Sequence, residues 1–128
     1  MNQEVVIDTN FALIPVRRNK DVFAELENRG YTPVILPEVT AELLKLSQKG
    51  TGASQQAREC KATLQLLERK GLKTPPSSRG YADTAILAYC RARGARAATH
   101  DNELRKQLRD AGVPLITLGR SGALNIEG

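Results

Sequence analysis

Short apolar runs alternate with longer amphipathic stretches along the chain, and the alternation predicts its elements. Val5-Val6-Ile7 reads as a buried strand and Pro33-Val34-Ile35-Leu36 as a second. Residues 95–99, mostly small, and residues 113–118 supply two more. Between them, apolar positions recur at helical spacing. Asp21 caps a helix that runs to Asn28 and stops at Gly30. Pro37 opens a helix over residues 38–47 from its first turn, where a missing N–H costs nothing. Residues 53–70 form a long helix with Ala57, Cys60, Leu64 and Leu67 inward, and residues 82–93 and 102–111 form two more. Gly71, Gly94 and Gly112 end these three. The segment around Pro15 reads as an apolar loop, Leu72-Lys73-Thr74 as a short strand, residues 75–80 as an irregular loop, and the residues after 118 as a loose tail. Strands alternating with helices across short turns imply βαβ units and a mostly parallel sheet covered on both faces. No internal repeat or linker divides the 128 residues, which fit one domain with one core.

Composition narrows the class. No apolar stretch approaches the ~20 residues of a membrane span, and the N-terminal apolar run is too short for a signal peptide, so a cytoplasmic protein is expected. Cys60 and Cys90, without a CxxC spacing or nearby histidines, read as reduced buried thiols rather than zinc ligands. Lys and Arg outnumber Asp and Glu by 19 to 14, and a net charge of +5 favours a polyanionic partner. With no Trp, two Phe and three Tyr, an aromatic stacking platform is not expected, so nucleic-acid contacts should run through phosphates.

The chemistry lies in four acids. Asp8 follows the first strand and Asp101 the small-residue strand, the ends at which open parallel sheets place their ligands. Glu42 falls between Val39 and Leu46 on the apolar face of its helix, and Asp83 shares a face with Ile86, Leu87 and Cys90. Each has an ordinary explanation: Asp8 as a turn residue, Asp83 and Asp101 as helix caps, Glu42 as a partner of Lys45 or Lys49. Together they form a pattern. Two carboxylates ~5 Å apart repel by roughly 3 kcal/mol at an effective dielectric near 20. No arginine or lysine shares their stripes, so a hard divalent cation, Mg²⁺ or Mn²⁺, is the expected counter-charge, and metal-assisted hydrolysis the expected chemistry.

The stretches Val-Val-Ile-Asp8-Thr-Asn10, Leu-Pro-Glu-Val-Thr-Ala-Glu42-Leu, Ala-Asp83-Thr-Ala-Ile-Leu-Ala and Ala-Thr99-His-Asp101-Asn-Glu-Leu resemble, in order, the acidic motifs of PIN-domain nucleases. The resemblance spans nearly the whole chain. It implies a three-layer α/β/α sandwich, a Mg²⁺- or Mn²⁺-dependent ribonuclease and a homodimer. It makes Asp8, Glu42, Asp83 and Asp101 the catalytic, metal-binding acids, with Asn10 and Thr99 as supporting polar groups. Two branches compete: archaeal relatives of processome nucleases that trim small-subunit ribosomal RNA, with ribosome-assembly partners, and VapC toxins held by a VapB antitoxin. A non-catalytic RNA-binding scaffold is the non-enzyme rival. His100 reads as a solvent-facing turn residue, and Glu103 as a surface glutamate. Arg17, Arg18, Lys20, Lys45, Lys49 and Arg79 are candidate contacts to the RNA backbone, because several flank the motifs. A haloacid-dehalogenase-like phosphatase typically needs a second Asp two residues after the first, where this chain has Asn10.

Overall fold

The computed structural model describes residues 2–76 and 80–127. Strand β1 (Glu4–Ile7) is buried at every position. Successive strand residues point to opposite faces, so a strand with no exposed position is covered on both. It lies within a five-stranded sheet ordered β2 (Thr32–Val34), β1, β3 (Arg96–Ala98), β4 (Leu115–Leu118) and β5 (Leu124–Ile126). β1 pairs in parallel with β2 and β3, and β3 with β4, while β5 returns antiparallel along β4. The register Ile7↔Ala98 sets the C-terminal ends of β1 and β3 side by side, so that the next residues, Asp8 and Thr99, emerge together.

Helices α1 (Thr9–Ala12), α2 (Ile14–Arg18), α3 (Val22–Asn28), α4 (Pro37–Ser47), α5 (Gln55–Lys70), α6 (Ala82–Arg93) and α7 (Asn102–Asp110) flank the sheet. This is the expected α/β/α arrangement. α4 packs mainly on α5 and also meets α1 and α6. Phe11, Phe23, Leu26, Leu43, Ile86 and Leu108 are fully buried between the layers. Each contributes roughly 1.5–3 kcal/mol by leaving water. Gly71 and Gly94 end α5 and α6 at φ 61° and 67°, the left-handed conformation that a side chain disfavours.

Three expectations need correction. The segment around Pro15 is not a loop but the two short helices α1 and α2. Asp8 caps the first through the Thr9 N–H, and Pro15 sits in the first turn of the second. Helices of four and five residues are too short to show a 3.6-residue period, so a continuous apolar run concealed them. The tail is not loose either: Leu124 is buried and residues 124–126 add the antiparallel edge strand. Around Leu72-Lys73-Thr74 there is a single parallel bridge, Val34↔Lys73, in place of a strand. Of the irregular loop at 75–80, residues 77–79 lie outside the described residues. Cys60 and Cys90 are buried free thiols, as expected, and burial pushes Cys90 up to about 12. No described helix is long and apolar enough to cross a membrane.

Candidate active site

The strand ends build the floor of the site. The Asp8 N–H donates to the Ala98 carbonyl at 2.9 Å, fixing the end of β1 against β3. Thr99, fully buried, donates its hydroxyl to Asp8 Oδ2 at 2.7 Å and accepts the Asp101 N–H at 3.0 Å. Asp8 Oδ1 accepts the Thr9 N–H at 2.8 Å. Asp101 Oδ1 accepts the Leu104 N–H at 2.9 Å, capping α7. Thr99 therefore couples the two strand-end acids, and Asp101 is both a helix cap and a wall of the cavity.

A cavity of about 520 Å³ opens at these strand ends. Asp8, Glu42, Asp83 and Asp101 all line it, so the four acids singled out from the sequence meet in one place, with Asn10 beside them. Glu42 and Asp83 do not lie on apolar faces, however. α4 buries Glu38, Val39 and Leu43, and α6 buries Ala82, Ala85, Ile86 and Cys90, which leaves Glu42 and Asp83 exposed at the cavity rim. Neighbouring helix positions differ by ~100°, so a residue beside the buried stripe looks along its edge, here into the cavity.

Sequence reasoning missed Glu38, Ala41 and Tyr81 as cavity residues, and had Lys45 as a candidate contact to the RNA backbone without placing it beside the acids. Glu38, Ala41, Glu42 and Lys45 are spaced i, i+3, i+4 and i+7, one stripe of α4, and all four line the cavity. That spacing was available in the sequence. It adds the buried carboxylate Glu38, and it overturns the expectation that no lysine shares the acids' stripes, because Lys45 does. Lys45 is ion-paired to no carboxylate among the described residues. Tyr81, which precedes α6, also lines the cavity and is 85% exposed.

Crowding of charge shows in the acids. Burial pushes Asp8 up to about 6; the Thr99 and Thr9 hydrogen bonds oppose this, and the charges of Asp83 and Glu42 reinforce it. Asp83 is raised by burial and by Asp101 and Glu103, which brings Glu103 within electrostatic reach. His100 is not the solvent-facing residue expected: it is half-buried and stacked on Phe11, centroids 5.6 Å apart. Burial and the charges of Arg18 and Arg105 hold its pKa down.

The candidate RNA contacts divide. Arg17 pairs with Glu59 at 3.1 Å and Lys20 with Glu25 at 3.2 Å. Arg18 and Lys49 are exposed and have no ion pair among the described residues, and Arg79 lies outside them.

The donor set suits a hard cation, since every charged ligand candidate in the cavity is a carboxylate. The Thr9 hydroxyl is buried and has no partner among the described residues, although Thr9 is a lining residue of the cavity. No three His, Cys, Asp or Glu among the described residues are close enough to hold one ion directly. Mg²⁺ tolerates this, because it keeps several waters and takes one or two carboxylates.

Fold and site together define an α/β protein with a carboxylate-lined cavity at the C-terminal edge of a parallel sheet. The family model described as a PIN like domain matches residues 5–121, and the chain belongs to that family. Among solved structures, the chain is similar to the PIN domain endonuclease Utp24, at 24% identity over 97% of this chain and 90% of that one, with a TM-score of 0.79. It is similar to a domain of a functionally unknown protein from Methanocaldococcus jannaschii DSM 2661, at 17% identity over 91% of each chain, with a TM-score of 0.60. It is also similar to VapBC2 from Rickettsia felis, solved with a DNA fragment from its promoter, at 19% identity over 91% of this chain and 99% of that one, with a TM-score of 0.58. Comparison with curated proteins gives no significant match.

Proposed function

We propose that the protein is a divalent-metal-dependent endoribonuclease that acts in ribosomal RNA processing, with Asp8, Glu42, Asp83 and Asp101 as its catalytic acids. One observation carries the reading: four acids distant in sequence line one cavity at the strand ends, where burial, reinforced by the charges of Asp83 and Glu42, pushes Asp8 up to about 6. A fold gains nothing from such repulsion unless a cation is to be bound.

Asp8 and Asp101 are the fixed pair, held by Thr99; one or two of the four acids would hold the cation directly and the others, Glu42 and Asp83 from the two helices among them, through its waters. When bound, Mg²⁺ or Mn²⁺ supplies a Lewis acid for the phosphodiester and an activated water for the attack. Thr99 keeps the Asp8 carboxylate oriented by donating to one oxygen, while the Thr9 N–H engages the other. Asn10, exposed at the cavity, can donate to a phosphate oxygen. Lys45 brings a positive charge to the same cavity, where it attracts the scissile phosphate and offsets its charge. Arg18 and Lys49 are the outlying residues free to hold neighbouring phosphates.

The assignment to ribosomal RNA rests on the motif resemblance to the processome branch. The second reading, a VapC-type toxin held by an antitoxin, comes from the same motifs and shares the chemistry. Homodimerisation belongs to the proposal under either reading, and the mass in solution tests it. The primary experiment is cleavage of end-labelled single-stranded RNA in Mg²⁺, Mn²⁺ or chelator by wild type and Asp83→Asn. Metal-dependent cleavage lost in the variant is expected. Equal activity of the two proteins would remove the site assignment, and inactivity of the wild type with RNA binding intact would favour the scaffold.

A further inference from the structure

Tyr81 is out of place for a residue that serves only the fold. It is 85% exposed, the most exposed large hydrophobic side chain among the described residues, whereas the other tyrosines pack against the core. It stands at the N-cap of α6, with φ −82° and ψ 152°, where its side chain makes no capping hydrogen bond. Its backbone does the structural work, its carbonyl accepting the Ala85 N–H at 3.0 Å. Tyr81 nonetheless lines the same cavity as Asp8, Glu42, Asp83 and Lys45, two residues from Asp83.

The charged groups of the cavity, five carboxylates and Lys45, address a cation and a phosphate, and the rest of the described lining, Thr9, Asn10, Ala41, Gly80 and Ala82, presents no other aromatic surface to a base. The exposed aromatic side chain of Tyr81, a lining residue, offers what they lack. Bases stack on tyrosine whatever their identity, since every base has a π-face, and burying the two faces together removes apolar surface from water. A base can reach a protein ring in this way only when it is free of its own helix, so the contact selects single strands over duplexes.

We propose that Tyr81 is a base-stacking subsite of the cavity, holding the unpaired base of the nucleotide beside the scissile phosphate and restricting the substrate to single-stranded RNA. This rests on the nuclease reading for the position of the phosphate, but the binding it describes needs neither metal nor turnover. The single-strand preference is thus carried by one ring, while the charged groups of the cavity serve the phosphodiester.

The test is binding of a fluorescent oligouridylate in chelator, where cleavage does not intervene, to wild type, Tyr81→Phe, Tyr81→Leu and Tyr81→Ala. Tyr81→Phe keeps the ring and should bind within twofold of wild type. Tyr81→Leu and Tyr81→Ala should bind about ten- to a hundredfold more weakly, the loss expected for one stacked base. Intrinsic fluorescence gives an independent readout, since the chain has three tyrosines and no tryptophan: the oligonucleotide should quench wild type and quench Tyr81→Leu less. Wild type should also prefer the single strand to a blunt duplex, and Tyr81→Ala should lose that preference. Affinity of Tyr81→Ala within twofold of wild type would overturn the subsite, and so would a loss in Tyr81→Phe equal to that in Tyr81→Ala. A change in oligomer mass with RNA affinity intact would also overturn it and assign the ring to contact with a second copy. Wild type that fails to cleave RNA while Tyr81→Ala still loses affinity would sink the nuclease and keep the subsite. Cleavage with unchanged affinity would do the reverse.

Discussion

β1 carries a buried carboxylate at each end, and the two are treated in opposite ways. Glu4 opens the strand and Asp8 follows it, at 7% and 4% exposure. Burial alone would raise Glu4, but hydrogen bonds from Lys73, Tyr89 and Asn2 outweigh it and hold its pKa below the ordinary carboxylate value. The Tyr89 hydroxyl donates at 2.9 Å, Asn2 donates to the same oxygen, and the Lys73 ammonium closes on the other. Asp8 has two neutral donors, no ion pair among the described residues, and Asp83 and Glu42 pressing on it. Within one short strand, the carboxylate that belongs to the fold is fully compensated and the one assigned to chemistry is not. Burial by itself separates neither; the sign of the surrounding charge does.

The largest effect expected from breaking this contrast is at Asp8. Asp8→Asn should reduce single-turnover RNA cleavage by about three orders of magnitude, ~4 kcal/mol of transition-state stabilisation. The same substitution should make the metal-free protein more stable. A carboxylate raised from 3.8 to about 6 in the folded state holds its proton more tightly there than in the unfolded chain. Below about pH 4 both states are protonated and Asp8 contributes nothing. As pH rises through the window up to about 6, the unfolded state ionises first and wild type loses up to about 3 kcal/mol relative to Asp8→Asn. Urea denaturation of both proteins in chelator across that window measures the difference directly. A difference curve without slope would mean that Asp8 is not under the strain described.

Glu4 should answer with the opposite pattern. Glu4→Gln should lower stability at neutral pH by about 1 kcal/mol: the amide oxygen still accepts from Tyr89 and Asn2, though more weakly than a carboxylate, and the amide NH₂ is a donor set against the Lys73 ammonium. The Lys73 side chain is half exposed, so its ion pair adds little. RNA cleavage by this variant should stay within twofold of wild type, because Glu4 lies at the other end of the strand. A loss of cleavage comparable to that of Asp8→Asn, in a folded protein, would erase the division of labour between the two ends.

The sequence showed this contrast only in part, for physical reasons. Asp8 and Asp101 were legible because a strand that ends on a carboxylate leaves a mark in one dimension. Glu42 and Asp83 were singled out because they were placed on apolar helix faces, and the motif resemblance then kept them although that placement was misjudged: the mean direction of an apolar stripe says little about residues at its edge. Glu38 was equally readable as a member of the 38/41/42/45 stripe but passes for an ordinary helix charge until a cavity lies in front of it, and Lys45, a candidate RNA contact from the start, was not seen to share that stripe. Tyr81 left no periodic signal at all, since a residue at a helix cap has no face to share. Glu4 could not have been recognised as compensated, because Lys73 and Tyr89 are 69 and 85 positions away and reach it only through tertiary packing. The short helices α1 and α2 and the edge strand β5 were lost for want of length, four, five and three residues being too few to establish a period.

The smallest effect is expected where both partners of a pair face water. Arg17 and Glu59 meet at 3.1 Å with side chains 37% and 19% exposed, and Gln55 also donates to Glu59 at 3.5 Å. An exposed pair of this kind contributes ~0–1 kcal/mol. Its geometry also occupies the guanidinium that would otherwise meet a phosphate. Arg17→Ala should therefore change stability by less than about 0.5 kcal/mol and leave the salt dependence of RNA binding as in wild type. Arg18→Ala, which removes an unpaired neighbour, should flatten that slope by ~0.7, the value for one single-strand phosphate contact. Titrations of a labelled oligonucleotide at several salt concentrations compare the two variants. A slope lowered equally by both would show that Arg17 leaves Glu59 to reach the strand, and that a surface ion pair, unlike the buried cluster at Glu4, does not remove its charge from binding.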